Sequence, residues 1–158
     1  MESIDFVGVK LVHYQLTEPE SKLHSSVLSS PNSVHEELVN WVADLDREVL
    51  VVVGMNIRNQ PVMLHPVSIG DAGRTIASVA EILRVVLMSA STKIMLVHNH
   101  PSGDCSPSAA DKAFTKRLIK AASLVDVKVV DHVVIGHDSY YSFRESDPDI
   151  FGGAYIEN

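Results

Sequence analysis

Residues 93–122 read KIMLVHNHPSGDCSPSAADKAFTKRLIKAA, an apolar run, two spaced histidines, a turn-rich loop and an amphipathic segment. Ile94 to Val97 has the character of a strand and leads into His98, Asn99 and His100. Alternate residues of a strand share a face, so His98 and His100 present two imidazoles side by side. Ser108 and Asp111 stand three apart, which on a helix makes them neighbours on one face. Pro101, Gly103 and Pro107 punctuate the interval, so the chain can turn back and bring the two pairs together. Two histidines and one aspartate make three protein ligands, the count of a catalytic zinc site that keeps a fourth position open.

Before this segment, Ile4 to Leu16 alternates loosely between apolar and polar residues and predicts a strand. Thr17 to Ser33 reads as a loop with a short helical turn near Ser21 to Leu28. Ser33 is expected to cap a helix, with Glu36 completing a capping box. Val34, Leu38, Trp41, Val42 and Leu45 form its buried stripe, His35 faces solvent, and Asp46 and Arg47 end it. Glu48 to Met55 is a strand covered on both faces. Asn56 to Gln60 turns it back into Pro61 to Ile69, where His65 has a packing or surface role. After a connector at Gly70 to Gly73, the residues Ile76, Val79, Ala80, Leu83, Val86, Leu87 and Ala90 mark an amphipathic helix.

Beyond the loop, Ser106 and Pro107 read as cap and first residue of a helix. Its stripe is Phe114, Leu118, Ala121, Leu124 and Val125, and Lys112, Lys116 and Lys120 line a solvated face. Val127 to Ile135 is a strand, Gly136 to Ser139 a turn, and Tyr140 to Phe143 a short pairing strand. The remainder after Arg144 is acidic and reads as a loosely attached tail. Strands mixed with three helices predict an α/β fold, a mixed sheet sandwiched by helices with hairpins at both ends.

At 158 residues, 46% hydrophobic and 21% charged, the chain suits a single globular domain with a real core. A net charge of −7 argues against generic nucleic-acid binding, which neutralises phosphates with Lys and Arg. Cys105 is the only cysteine, which excludes an intrachain disulfide and suits a reducing compartment. No signal peptide is read at the N-terminus, and no apolar run approaches the roughly 20 residues of a membrane span. The expectation is a cytoplasmic protein without membrane contact. Oligomeric state is not encoded in any pattern read here.

The spacing H-x-H-x7-S-x-x-D, carried by His98, His100, Ser108 and Asp111, resembles the metal motif of the JAB/MPN metalloprotease superfamily. The wording HNHPSGD followed by PS-x-x-D resembles more narrowly the RadC-type JAB domain of bacteria and mobile elements. DREVLVVVGMN, DHVVIG and YYSFRE extend the likeness from about Ser30 to Glu145. The resemblance implies a JAB fold of cytidine-deaminase-like layout with core residues of about 30–145, and Zn2+ held by His98, His100 and Asp111. Larger relatives often carry a helix-hairpin-helix module ahead of it. One clear helix in the first 45 residues leaves that module unexpected here.

By the same resemblance Glu48 is the group that moves protons and Ser108 the donor to a developing oxyanion. An acid abutting so apolar a strand is open to partial desolvation. Glu36, Glu37 and Glu81 are rivals for Glu48 but fall in helical segments. Asn99 points to the opposite strand face from the histidines and reads as structural, and Gly103 supplies a backbone angle other residues resist. Cys105 reads as an inert loop thiol, and Asp131-His132 as support behind the ligands or a core hydrogen-bonding pair. The implied activity is zinc-dependent hydrolysis of a peptide or isopeptide bond in a peptide or protein substrate. The competing reading is a non-catalytic JAB-fold interaction domain in a mobile-element or DNA-repair context. A zinc nucleobase deaminase is disfavoured, because one cysteine cannot supply its P-C-x-x-C signature.

Overall fold

The computed structural model describes residues 27–28, 30–42, 45–69, 78–89 and 91–152. The strand expected at Ile4 to Leu16, most of the helical turn near Ser21 to Leu28, and the connector at Gly70 to Gly73 lie outside them. Within the described residues the order is α1 (Pro31–Val42), β1 (Val49–Met55), β2 (Pro61–Ile69), α2 (Val79–Met88), β3 (Lys93–Asn99), α3 (Ala109–Ser123), β4 (Lys128–Ile135), β5 (Tyr140–Ser142) and α4 (Phe143–Ser146), closed by a 3₁₀ turn at Pro148–Ile150.

The strands form one mixed sheet in the order β2-β1-β3-β4-β5. β1 pairs antiparallel with both β2 and β3, β3 runs parallel to β4, and β4 pairs antiparallel with β5. This is the α/β sandwich expected from the sequence. Alternation along the strands divides the core. Leu50, Val52, Ile94, Leu96 and Val134 face α2 and α3, packing on Ile82, Val86, Leu118, Ile119 and Ala122. Val53, Met55, Met95, Val97, Val133 and Ile135 face α1, packing on Val34, Leu38 and Val42. Near-continuous apolar strands are the consequence of covering both faces.

One register shift decides which side chains meet. Ile94 pairs with Val129 but Met95 pairs with Asp131, so β4 carries one extra residue at Val130. His132 thereby lies beside Leu96, and Asp131 beside Met95. A one-residue slip exchanges the faces of every later side chain.

Several boundaries differ from the sequence reading, for identifiable reasons. α1 starts at Pro31, ahead of Ser33: Ser30 Oγ accepts from Ser33 N at 3.2 Å, and Ser33 Oγ accepts from Ser30 N at 3.2 Å. Serine before a first-position proline therefore wins over the expected Ser33–Glu36 box. α1 ends at Val42, and its buried stripe is narrow, leaving Trp41 54% and Leu45 38% exposed. α3 starts at Ala109 with Ser108 as its cap, displacing the expected Ser106-Pro107 start. Its buried face becomes Thr115, Leu118, Ile119 and Ala122, while Leu124 is the C-cap and 81% exposed. In α2 the buried residues are Ile82, Val85 and Val86, and Leu87 is exposed.

The expected loose tail is docked as far as Phe151. Phe143 opens α4 instead of ending β5, and Phe151 is buried in the α2/α3 core. Asp147 accepts from Lys112 Nζ at 2.7 Å, tying this segment to α3. Asp131 anchors the same corner, accepting from Ser142 Oγ, Arg144 N and His132 N at 2.6, 2.9 and 2.7 Å.

The rotated stripe of α3 gives a paired test by urea unfolding. Leu118, fully buried between α3 and the sheet, should cost about 2–5 kcal/mol when replaced by Ala. Leu124→Ala should stay within about 0.5 kcal/mol. Equal losses would contradict the placement of the stripe.

Candidate metal centre

β3 carries His98 near its end, between β1 and β4, and the residue is 1% exposed. A neutral imidazole has one N–H and one lone pair, and in so dry a place each must be accounted for. The hydrogen-bond network fixes both. Thr115 Oγ1 on α3 donates to the Asp111 carbonyl at 2.7 Å, so it accepts from His132 Nδ1–H at 2.6 Å. His132 Nε2 must then accept, and His98 Nδ1–H donates to it at 2.7 Å. The lone pair of His98 is left on Nε2.

His100 reaches the same state by a shorter route. Its Nδ1–H donates to the Asp104 carbonyl at 2.6 Å, which again leaves a lone pair on Nε2. The two Nε2 atoms face each other at 3.0 Å. With both ring protons committed elsewhere, this contact sets one lone pair against another.

Two carboxylates approach the same point. The Asp111 oxygens lie 3.7 Å from His98 Nε2 and 3.8 Å from His100 Nε2. Glu48, half-buried immediately before β1, places a carboxylate oxygen within 4.8 Å of ligand atoms on both histidines. The ligand set read from the sequence contains Asp111, and Glu48, His98 and His100 also make a group that could hold a metal. The structure brings all four residues to one place. Acceptors converging with their protons directed away form a site for a cation, and imidazole with carboxylate suits zinc and its neighbours.

Ser108 caps α3 in a reciprocal box. Its Oγ accepts from Asp111 N at 3.1 Å, while its N–H and Oγ–H both donate to Asp111 Oδ2 at 2.7 Å. The turn from strand to helix is equally fixed. Gly103 N donates to the His100 carbonyl, and Gly103 has φ +78°, where a Cβ would lie 2.4 Å from the His137 ring. Glycine is required here for its backbone angle, as expected, and also for space.

Burial pushes the His98 imidazole down to about 4, with the Asp111 charge opposing and His100 adding to the fall. Burial also pushes His132 well below the ordinary histidine range. The Asp131 carboxyl is raised by burial, against its three hydrogen bonds.

The remaining candidates lie elsewhere. Glu36 accepts from Asn32 on α1, and Glu81 on α2 lies 3.8 Å from His65. Cys105 is half-buried with its sulfur 3.4 Å from Ser139 Oγ, and packs against the core. His35, expected to face solvent, is half-buried: it packs against the Tyr140 ring, and its Nε2 is buried without a hydrogen-bond partner. Thr115 is not singled out by the sequence because it stands beside the expected stripe of Phe114 and Leu118, whereas the structure buries it. Its one signal was a hydroxyl four residues after Asp111 on a buried face.

The sequence matches the model of the RadC-like JAB domain over residues 28–148. It is 35% identical over 125 residues to a UPF0758 protein of Alkaliphilus metalliredigens, covering 79% of this chain and 54% of that protein. A UPF0758 protein of Photorhabdus laumondii is 37% identical over 123 residues, covering 78% and 54%. One from Caldanaerobacter subterraneus is 36% identical over 118 residues, covering 75% and 51%. The chain spans about half the length of these relatives.

The buried neutral histidines make the metal-free fold sensitive to acid. In the unfolded chain a histidine titrates near 6.5, whereas His98 does so at about 4 when folded. Between these values the unfolded chain binds more protons, so stability is full above about pH 6.5 and falls as pH drops toward 4. Urea midpoints measured with chelator at pH 7, 5.5 and 4.5 should decrease in that order. An unchanged midpoint would contradict the assignment.

Proposed function

The chain belongs to the RadC-like JAB domain family, and from that premise we propose that it is a zinc-dependent hydrolase cleaving a peptide or isopeptide bond. The observation that carries this reading is the pair of imidazole lone pairs 3.0 Å apart, flanked by two carboxylates. His98, His100 and Asp111 would hold the zinc, which would supply Lewis acidity there, acidifying a water molecule and polarising the carbonyl under attack.

Glu48 takes the proton from the attacking water at a carboxylate oxygen and returns it to the leaving amine. Its place just ahead of β1 gives it a long side chain beside both histidines without a cap or strand bond occupying its oxygens. Asp111 suits the ligand role better, because the helix cap already fixes its carboxylate. Ser108 serves the developing oxyanion, its hydroxyl turning from Asp111 to the substrate oxygen. Helix capping alone accounts for the Ser108–Asp111 pair but not for two opposed imidazole lone pairs beside Glu48, which favours the enzyme.

The substrate is a peptide or protein, and strong binding to bulk DNA is not expected. Of the three lysines on α3, Lys112 is already paired with Asp147, and the net charge is −7. A cytoplasmic location is supported by the single cysteine. No helix among the described residues is long and apolar enough to cross a membrane.

Elemental analysis of freshly purified protein should find one zinc per chain, lost when His98 and His100 are both replaced by Ala. Stoichiometric zinc in that double variant would sink the assignment. Glu48→Gln should keep zinc and fold while hydrolysis of a peptide and isopeptide panel drops about 10²–10⁴-fold. Cleavage at the parental rate would remove Glu48 from this role.

Thr115→Val removes the hydroxyl that orders the protons of His132 and His98. Zinc affinity should weaken about 10- to 100-fold, with recovery in Thr115→Ser. Competition with a chromophoric chelator measures both. Equal affinities in all three proteins would show the relay to be idle.

A further inference from the structure

Glu48 lies one residue outside β1, so no strand pairing of its own determines where its carboxylate points. The last registered pair between β1 and β3 is Leu50 with His98. Past that pair a side chain replaces the ladder. Asn99 Oδ1 accepts from Val49 N at 2.8 Å, and Asn99 Nδ2 donates to the Arg47 carbonyl at 3.1 Å. The backbone groups on either side of Glu48 are therefore held by one amide, itself 0% exposed.

We infer that Asn99 is a positioning residue for Glu48, setting the proton-transfer group against the two histidines that flank Asn99 in sequence. The inference rests on the role proposed for Glu48. β3 alternates, so His98 and His100 project to one face and Asn99 to the other, toward the entry of β1. One rigid strand thus fixes the ligands and the base together. The clamp needs one donor and one acceptor on a short side chain. Asparagine has both, aspartate has acceptors alone, and glutamine is a carbon longer. A buried amide satisfied at both ends has no freedom to let the Arg47–Val49 backbone rotate.

The discriminating change is Asn99→Asp, which preserves shape and the acceptor for Val49 N but loses the donor to Arg47. Asn99→Ala removes both bonds. Crystal structures of the two variants, grown with zinc chloride, should show His98 and His100 in place and the Glu48 carboxylate withdrawn from them. Zinc per chain should match the parent. On the peptide and isopeptide panel, kcat should fall about 10- to 100-fold with KM unchanged, the scale of a misplaced reacting group. Adding Glu48→Gln to Asn99→Asp should lower kcat no further than Glu48→Gln alone, because both remove the same function.

Glu48 unmoved in the variants would overturn the inference, as would rate losses that multiply in the double variant or loss of zinc on replacing Asn99. Should Asn99→Ala fail to fold, Asn99→Asp decides by the same measures. Should the parent cleave none of the panel, the proposed hydrolysis fails, while the position of Glu48 in the variant structures still decides the part played by Asn99.

Discussion

An imidazole buried in the middle of a sheet has to give away its one proton, and much of this molecule follows from where His98 sends it. The proton goes to His132, which must pass the demand on to Thr115 and from there to the Asp111 carbonyl. That sequence of bonds requires β4 to lie beside β3 in the register set by the extra residue at Val130. It also requires α3 to present Thr115 inward, which the Ser108 cap and the short loop from His100 ensure. Unpaired, any of these groups would cost on the order of 1–3 kcal/mol.

The second organising element is β3 itself. It binds β1 on one edge and β4 on the other, so residues as far apart as Glu48 and His132 are brought to a single centre. Only the H-x-H and S-x-x-D pairs are local. Those local pairs explain why the convergence of these side chains is legible in the chain. The spacing of His98, His100, Ser108 and Asp111 encodes a strand, a turn and a helix whose geometry is set within 14 residues.

What the sequence showed less clearly depends on contacts rather than on spacing. The sheet and its helices were legible from apolar periodicity, and the hairpin from Asn56 to Gln60 from its polar break. Which face of α3 is buried was not, because Phe114, Ala121 and Leu124 offer an apolar stripe that competes with Thr115, Ile119 and Ala122, and packing on the sheet decides between them. The docking of Phe151 was hidden for a related reason: a lone aromatic after an acidic, proline-containing stretch carries no period. Thr115 and Asn99 are legible only once the register of β4 and the entry of β1 are known.

Asp111 faces two tasks whose origins differ. Its Oδ2 closes the first turn of α3 through Ser108, and its carboxylate also faces the histidines. The first task is a matter of helix geometry and persists whether or not an ion is ever bound. In lineages of this fold released from selection for chemistry, drift should therefore erase the histidine pair early and retain the serine–aspartate pair as a fossil of helix capping. Among such descendants, a surviving S-x-x-D records ancestry, and the paired histidines with their threonine-backed relay record that the cluster is still whole.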